Sequence, residues 1–91
     1  MPPHISENCK KKIKELEDEL LYSISLGLAF PPKQIGLLAA SFRSAGHAMD
    51  DECKKLMTDY ENDILALETV PPIGKIHGLK RILDSMQSLS R

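Results

Sequence analysis

Gly46-His47-Ala48-Met49-Asp50-Asp51-Glu52 decides how many helices this chain forms. Upstream of it, Ile35, Leu38, Phe42, Ala45 and Met49 recur at spacings of three and four. Downstream, Cys53, Leu56, Tyr60, Ile64 and Leu67 continue in the same phase, so both sets fall on one helical face. Unbroken phase fits a single helix over 32–68, about 55 Å long at 1.5 Å per residue. Local chemistry points the other way. Gly46 can adopt the left-handed backbone of a helix end, and Asp50-Asp51-Glu52 supplies an N-cap and an acidic first turn for a new helix. The expectation is a break here, giving helices over 32–46 and 50–68. An unbroken helix would instead overhang its neighbours and leave apolar surface bare for a partner.

Outward from this point, proline pairs divide the chain at Pro2/Pro3, Pro31/Pro32 and Pro71/Pro72. Proline lacks an N–H and has a fixed φ, so a pair ends the preceding segment and suits the first turn of the next helix. Pro31/Pro32 and Pro71/Pro72 therefore read as matched helix starts. Ahead of them, Ser6 is positioned to cap a helix over 6–26 whose stripe is Cys9, Ile13, Leu16, Leu20 and Ile24, with Gly27 as its stop. A last helix over 73–89 carries Ile76, Leu79, Leu83 and Met86. No segment alternates as a strand does, and valine occurs once. The sequence thus predicts an all-α fold: a small antiparallel helical bundle of four helices, or three with a long central one. It forms one domain over 6–91 after a flexible 1–5.

Composition narrows the function by exclusion. At 91 residues with 42% hydrophobic and 27% charged content, the chain can bury one modest core but has little room for a deep active-site cleft. Twelve basic residues against thirteen acidic give a net charge of −1, so no overall field draws it to nucleic acid or an anionic membrane. The N-terminal residues lack a signal peptide's apolar core, and no apolar run reaches the roughly 18 residues of a membrane span. A cytoplasmic location is expected on that basis. Cys9 and Cys53 lie in phase with the apolar stripes and read as buried free thiols, with a Cys9–Cys53 disulfide as the lesser alternative.

Catalytic motifs are missing: there is no G-x-S-x-G, H-E-x-x-H, phosphate-binding glycine loop or C-x-x-C pair. The carboxylates fall on outer helix faces, where water keeps them poor acids and bases. An up-and-down bundle would gather His4, Cys9, His47 and Cys53 at one end, an acceptable zinc set by type, yet their spacing matches no short zinc motif. The stretch His77-Gly78-Leu79-Lys80-Arg81 resembles the His-x-Leu-Lys-Gly element of histidine phosphotransfer domains only in part, since Arg81 stands where that family needs a glycine. For a helix-turn-helix with its turn at Gly46, Phe42 and Glu52 occupy positions that require a small and an aliphatic residue, and the acidic Asp50-Asp51-Glu52 would repel phosphate.

The expected function is therefore non-enzymatic and cofactor-free: binding another protein through helix packing, as a regulator, inhibitor, immunity protein or adaptor, with self-association as a homodimer. Leu21, Leu26, Leu28, Phe30, Leu37, Met57, Ile73, Ile82 and Leu89 lie off the main stripes and suit the edges of such an interface. Leu37, Met57 and Ile82, with the cationic Lys75, His77, Lys80 and Arg81 of the last helix, form the expected partner-binding set. The alternative is a nucleic-acid-associated regulator using two local basic faces, Lys10-Lys11-Lys12-x-Lys14 and Lys75/Lys80/Arg81.

Overall fold

The computed structural model describes residues 5–90, so His4 and the Pro2/Pro3 pair lie outside the described residues. Four α-helices succeed one another: α1 (Glu7–Ser25), α2 (Gln34–His47), α3 (Asp51–Leu65) and α4 (Pro72–Ser90), with a 3-10 turn at Gly27–Ala29 between the first two. The chain does break between α2 and α3. Asp50 leaves helical geometry and its carboxylate accepts the Cys53 amide at 2.9 Å, an N-cap that starts α3. The longest dimension of the molecule is 36 Å, well short of an unbroken 32–68 helix.

Gly46 does not stop α2. It lies buried inside the helix, where an added Cβ would sit 3.1 Å from Met57 Cβ, so its role is to let α2 and α3 approach closely. The left-handed glycine is Gly27, at φ +56°, which ends α1 as expected. The two internal proline pairs are not equivalent. Pro72 opens α4 as its first residue, whereas Pro31 and Pro32 precede a turn and α2 begins only at Gln34.

Side-chain contacts fix the helix directions. Phe42 meets Tyr60 edge-on with ring centroids 6.0 Å apart, and Gly46 meets Met57, so α2 and α3 run antiparallel. Arg43 Nε and Nη2 both donate to Glu61 Oε2, at 2.7 and 2.6 Å, along the same hairpin. Gln34 Nε2 donates to Ser23 Oγ and Ser41 Oγ to Glu19 Oε1, making α1 and α2 antiparallel. Tyr60 pairs with Ser85 while Leu67 covers Gly78, which does the same for α3 and α4. Packing is densest between α2 and α3 and between α1 and α4; the α1–α2 and α3–α4 seams, which join the two pairs, are sparser.

The core departs from the sequence reading in register rather than in kind. Ile13, Leu16, Leu20, Ile35, Leu38, Phe42, Tyr60, Ile64, Leu79, Leu83 and Met86 are buried as expected. Met57 and Ile82, expected at an exposed interface, are also buried. Met57 fills the space that Gly46 leaves open against α2, with Leu56 only partly covered beside it, and Ile82 is covered because α4 meets both α1 and α3, so its apolar arc is wider than one stripe. Phe30 is buried too, because the 3-10 turn folds back and seats it under the core's end. Ile5, placed by the sequence in a flexible segment, packs against the core.

The cysteines are corrected most sharply. Cys9 and Cys53 form a disulfide, not two free thiols, joining residues 44 apart. Each occupies the third position of its helix, with its amide donating to the capping Ser6 Oγ or Asp50 Oδ1, so both helices start at one end and the bridge crosses the bundle diagonal. This end carries the disulfide; the opposite end carries the two internal proline pairs. No helix among the described residues is long and apolar enough to cross a membrane.

Candidate functional site: an open cleft along α1 and α2

Helix α1 presents Lys12, Glu15, Asp18, Glu19 and Tyr22 towards the sparse seam with α2. Opposite them stand Leu37, Ser41, Ser44 and Ala48 of α2. Small α2 side chains facing long α1 ones leave the seam unfilled above the Leu16 and Leu38 core residues. The result is an open cleft with two connected parts of about 470 and 520 Å³ that share Glu19 and Ser41. The weak bond from Ser41 Oγ to Glu19 Oε1, at 3.3 Å, spans the cleft where the parts meet.

The two parts differ in character. Towards the disulfide end, Lys12 Nζ neutralises Glu15 at 2.7 Å over a floor of Ser44, Ala45 and Ala48. Towards the proline end, Tyr22 and Leu37 flank the opening at 62% and 61% exposure. There the lining holds two carboxylates, Asp18 and Glu19, and no cation; among the described residues neither carboxylate has an ion-pair partner. This part is an apolar opening with an unbalanced negative rim.

The wider distribution of apolar surface agrees with this polarity. The large hydrophobic side chains left exposed among the described residues are Leu21, Tyr22, Leu28, Leu37 and Ile73. All five lie in the half bearing the internal proline pairs: the last turns of α1, the 3-10 turn, and the first turns of α2 and α4. At the disulfide end a space of about 30 Å³ lies beside Cys9 and Cys53, room for little more than one water.

Of the residues that the sequence singles out for partner binding, Leu37 is at the cleft, while Met57 and Ile82 belong to the core. His77, Lys80 and Arg81 are exposed on α4, away from the cleft, and Lys75 donates to the Val70 carbonyl, closing the α3–α4 connection. The structure does not bring these cations together with Leu37. Nor does it merge the two basic faces: the lysines of α1 sit in its first turns at the disulfide end, and those of α4 in its first half, at the other. Two of the α1 lysines are also paired, Lys10 with Glu7 and Lys12 with Glu15.

The sequence reading missed Tyr22, Asp18 and Glu19. A signal was present, since Tyr22 lies opposite the buried stripe of α1, within its charged face, where a large aromatic has no core to join. The other tyrosine behaves differently: Tyr60 is buried against Phe42 and shares a 2.9 Å hydrogen bond with Ser85 Oγ. Burial pushes its hydroxyl above the ordinary tyrosine range, with the nearby Asp63 charge adding to the rise and the Ser85 bond opposing it. Among the described residues, no three His, Cys, Asp or Glu side chains cluster as metal ligands would. Comparison with family models, curated proteins and solved structures found no match to this chain.

Proposed function

We propose that this protein acts by binding another polypeptide through helix packing, as a regulator, inhibitor or adaptor does, and that the α1–α2 cleft receives the partner. The single observation that carries the reading is the confinement of exposed large hydrophobics to one half of the molecule, with two of them, Tyr22 and Leu37, flanking one open cleft. Scattered apolar residues need no explanation, whereas apolar surface gathered around a concave, polar-rimmed site is what a protein interface requires. The Cys9–Cys53 bridge supports action in an oxidising compartment, in place of the cytoplasmic location suggested by the N-terminal sequence.

Selective capture tests this reading. Proteins retained from the source organism by the wild type should be lost by Tyr22→Ser/Leu37→Ser and kept by Lys55→Asp, an exposed change on α3. A retained set that ignores the cleft substitutions refutes it. Self-association is a second reading, favoured by Leu28 and Ile73, which lie exposed on the proline end outside the cleft. Sedimentation at tens of micromolar should then show a dimer that Leu28→Glu/Ile73→Glu dissociates; a strict monomer removes this second reading.

A further inference from the structure

The cleft's chemistry says more about its occupant than that it is a protein. We infer that the occupant is a cationic amphipathic helix of another protein, its apolar residues set between Tyr22 and Leu37 and its Lys or Arg residues beside Asp18 and Glu19. The inference rests on the reading of the cleft as a protein-binding site.

Shape favours a helix. From Lys12 to Tyr22 the α1 wall runs about 15 Å, close to three helical turns. The α2 wall offers Ser41, Ser44, Ala45 and Ala48, whose short side chains let a helix backbone approach closely, as Gly46 does for Met57 on the far side of the same helix. A helix lying there would complete the seam that α1 and α2 leave unfilled, placing residues three or four apart against Tyr22 and Leu37.

Charge selects which helix. Glu15 is already matched by Lys12, so the α1 wall has no demand for charge at the disulfide end of the cleft. At the other end Asp18 and Glu19 stand without a cation, beside apolar side chains that an occupant would desolvate further. An acidic helix would add like charge to a site losing its water, whereas a basic one would supply the missing partners. A second copy of this chain does not fit the description, because the apolar faces of all four helices already lie in its own core.

Two labelled helical peptides of about 12 residues test the inference, identical on their Leu/Ala face and carrying either Lys or Glu on the flanks. Fluorescence anisotropy is followed against the wild type, Asp18→Asn/Glu19→Gln and Tyr22→Ser/Leu37→Ser. The Lys peptide should bind the wild type at least about fivefold more tightly than the Glu peptide, and the carboxylate variant should erase most of that preference. The apolar variant should weaken the Lys peptide while its melting curve stays that of the wild type. Equal binding of both peptides, with each lost in the apolar variant, overturns the charge inference and leaves the protein-binding cleft standing. Lys-peptide binding that ignores Tyr22→Ser/Leu37→Ser is diffuse electrostatic attraction and overturns the inference. No binding of either peptide up to about 200 μM overturns it as well.

Discussion

The two sparse seams of this bundle do the same architectural job and are finished differently. Both join the α2–α3 pair to the α1–α4 pair. The α3–α4 seam is bridged: Tyr60 reaches across to Ser85, Leu67 lies over Gly78 and Ile82 is covered, leaving a smaller cleft of about 260 Å³ above them. The α1–α2 seam is open along much of its length, with Tyr22 and Leu37 left in water and the side-chain hydrogen bonds of Gln34 to Ser23 and Ser41 to Glu19 crossing it above Leu16 and Leu38. One seam has a tyrosine turned in and bonded; the other has a tyrosine turned out. The wider of the two unfilled seams is the one that the proposed partner would complete.

The largest expected effect separates two adjacent leucines on that open seam. Leu38 is 2% exposed, so Leu38→Asp buries an unpaired carboxylate and should cost more than about 4 kcal/mol, enough to unfold a domain of this size. Leu37→Asp places the same charge at the cleft mouth and should shift stability by no more than about 0.5 kcal/mol. Thermal melts by circular dichroism check both. A cooperative, near-native melt for Leu38→Asp would mean that the core does not run beneath the cleft, and the contrast between the seams would fail with it.

The disulfide gives the next largest effect. It ties α1 to α3, one helix from each pair, and closes a loop spanning 44 residues of sequence separation. In the chain-entropy account a bridge of that span contributes about 4 kcal/mol, so Cys9→Ala/Cys53→Ala should lower the urea midpoint accordingly, with a higher m-value because the untied unfolded chain exposes more surface. Loss of the tie should raise amide exchange across both seams, which are packed more sparsely than the α2–α3 and α1–α4 pairs. Exchange that rises at one seam alone would show that the other does not depend on the diagonal bridge.

How far these features were legible depends on whether the cause was local. Asp50 and Ser6 announce their helices because a cap needs only the next few residues of the chain, and Gly27 announces the end of α1 by the same logic. The choice of Met57 over Leu56 was not legible. Both fit the apolar phase of α3, and the decision falls to Gly46, a residue on another helix that leaves room for one of them. Cys9 and Cys53 could be placed at one end of an up-and-down bundle, but periodicity sets a face along a helix and not a distance across the diagonal, so it favours free thiols over their bond. The cleft was half visible. Leu37 lay off the stripe in plain sight; which of the two seams would gape wider depends on Ser41, Ser44 and Ala48 facing long α1 side chains, a pairing between elements.

The smallest expected effect probes the bridged seam through its titration. The Tyr60 hydroxyl holds its proton more tightly in the folded state than in the unfolded chain, because burial disfavours the phenolate. Its contribution to stability is therefore complete below about pH 10, where the unfolded tyrosine titrates, and is lost as pH rises through the higher folded value. Tyr60→Phe removes that dependence together with the bond to Ser85, so near neutral pH the variant should be less stable by about 1 kcal/mol. Above pH 10 the gap should narrow, because unfolding then releases a proton from the Tyr60 of the wild type, which favours its unfolded state, and none from the phenylalanine. Urea denaturation of both proteins between pH 7 and 11 measures this, and the lysines common to both cancel in the difference. Stability curves that run parallel across the range would show that Tyr60 does not bridge the seam as a buried, bonded phenol, and would leave Leu67 and Ile82 to join it by packing alone.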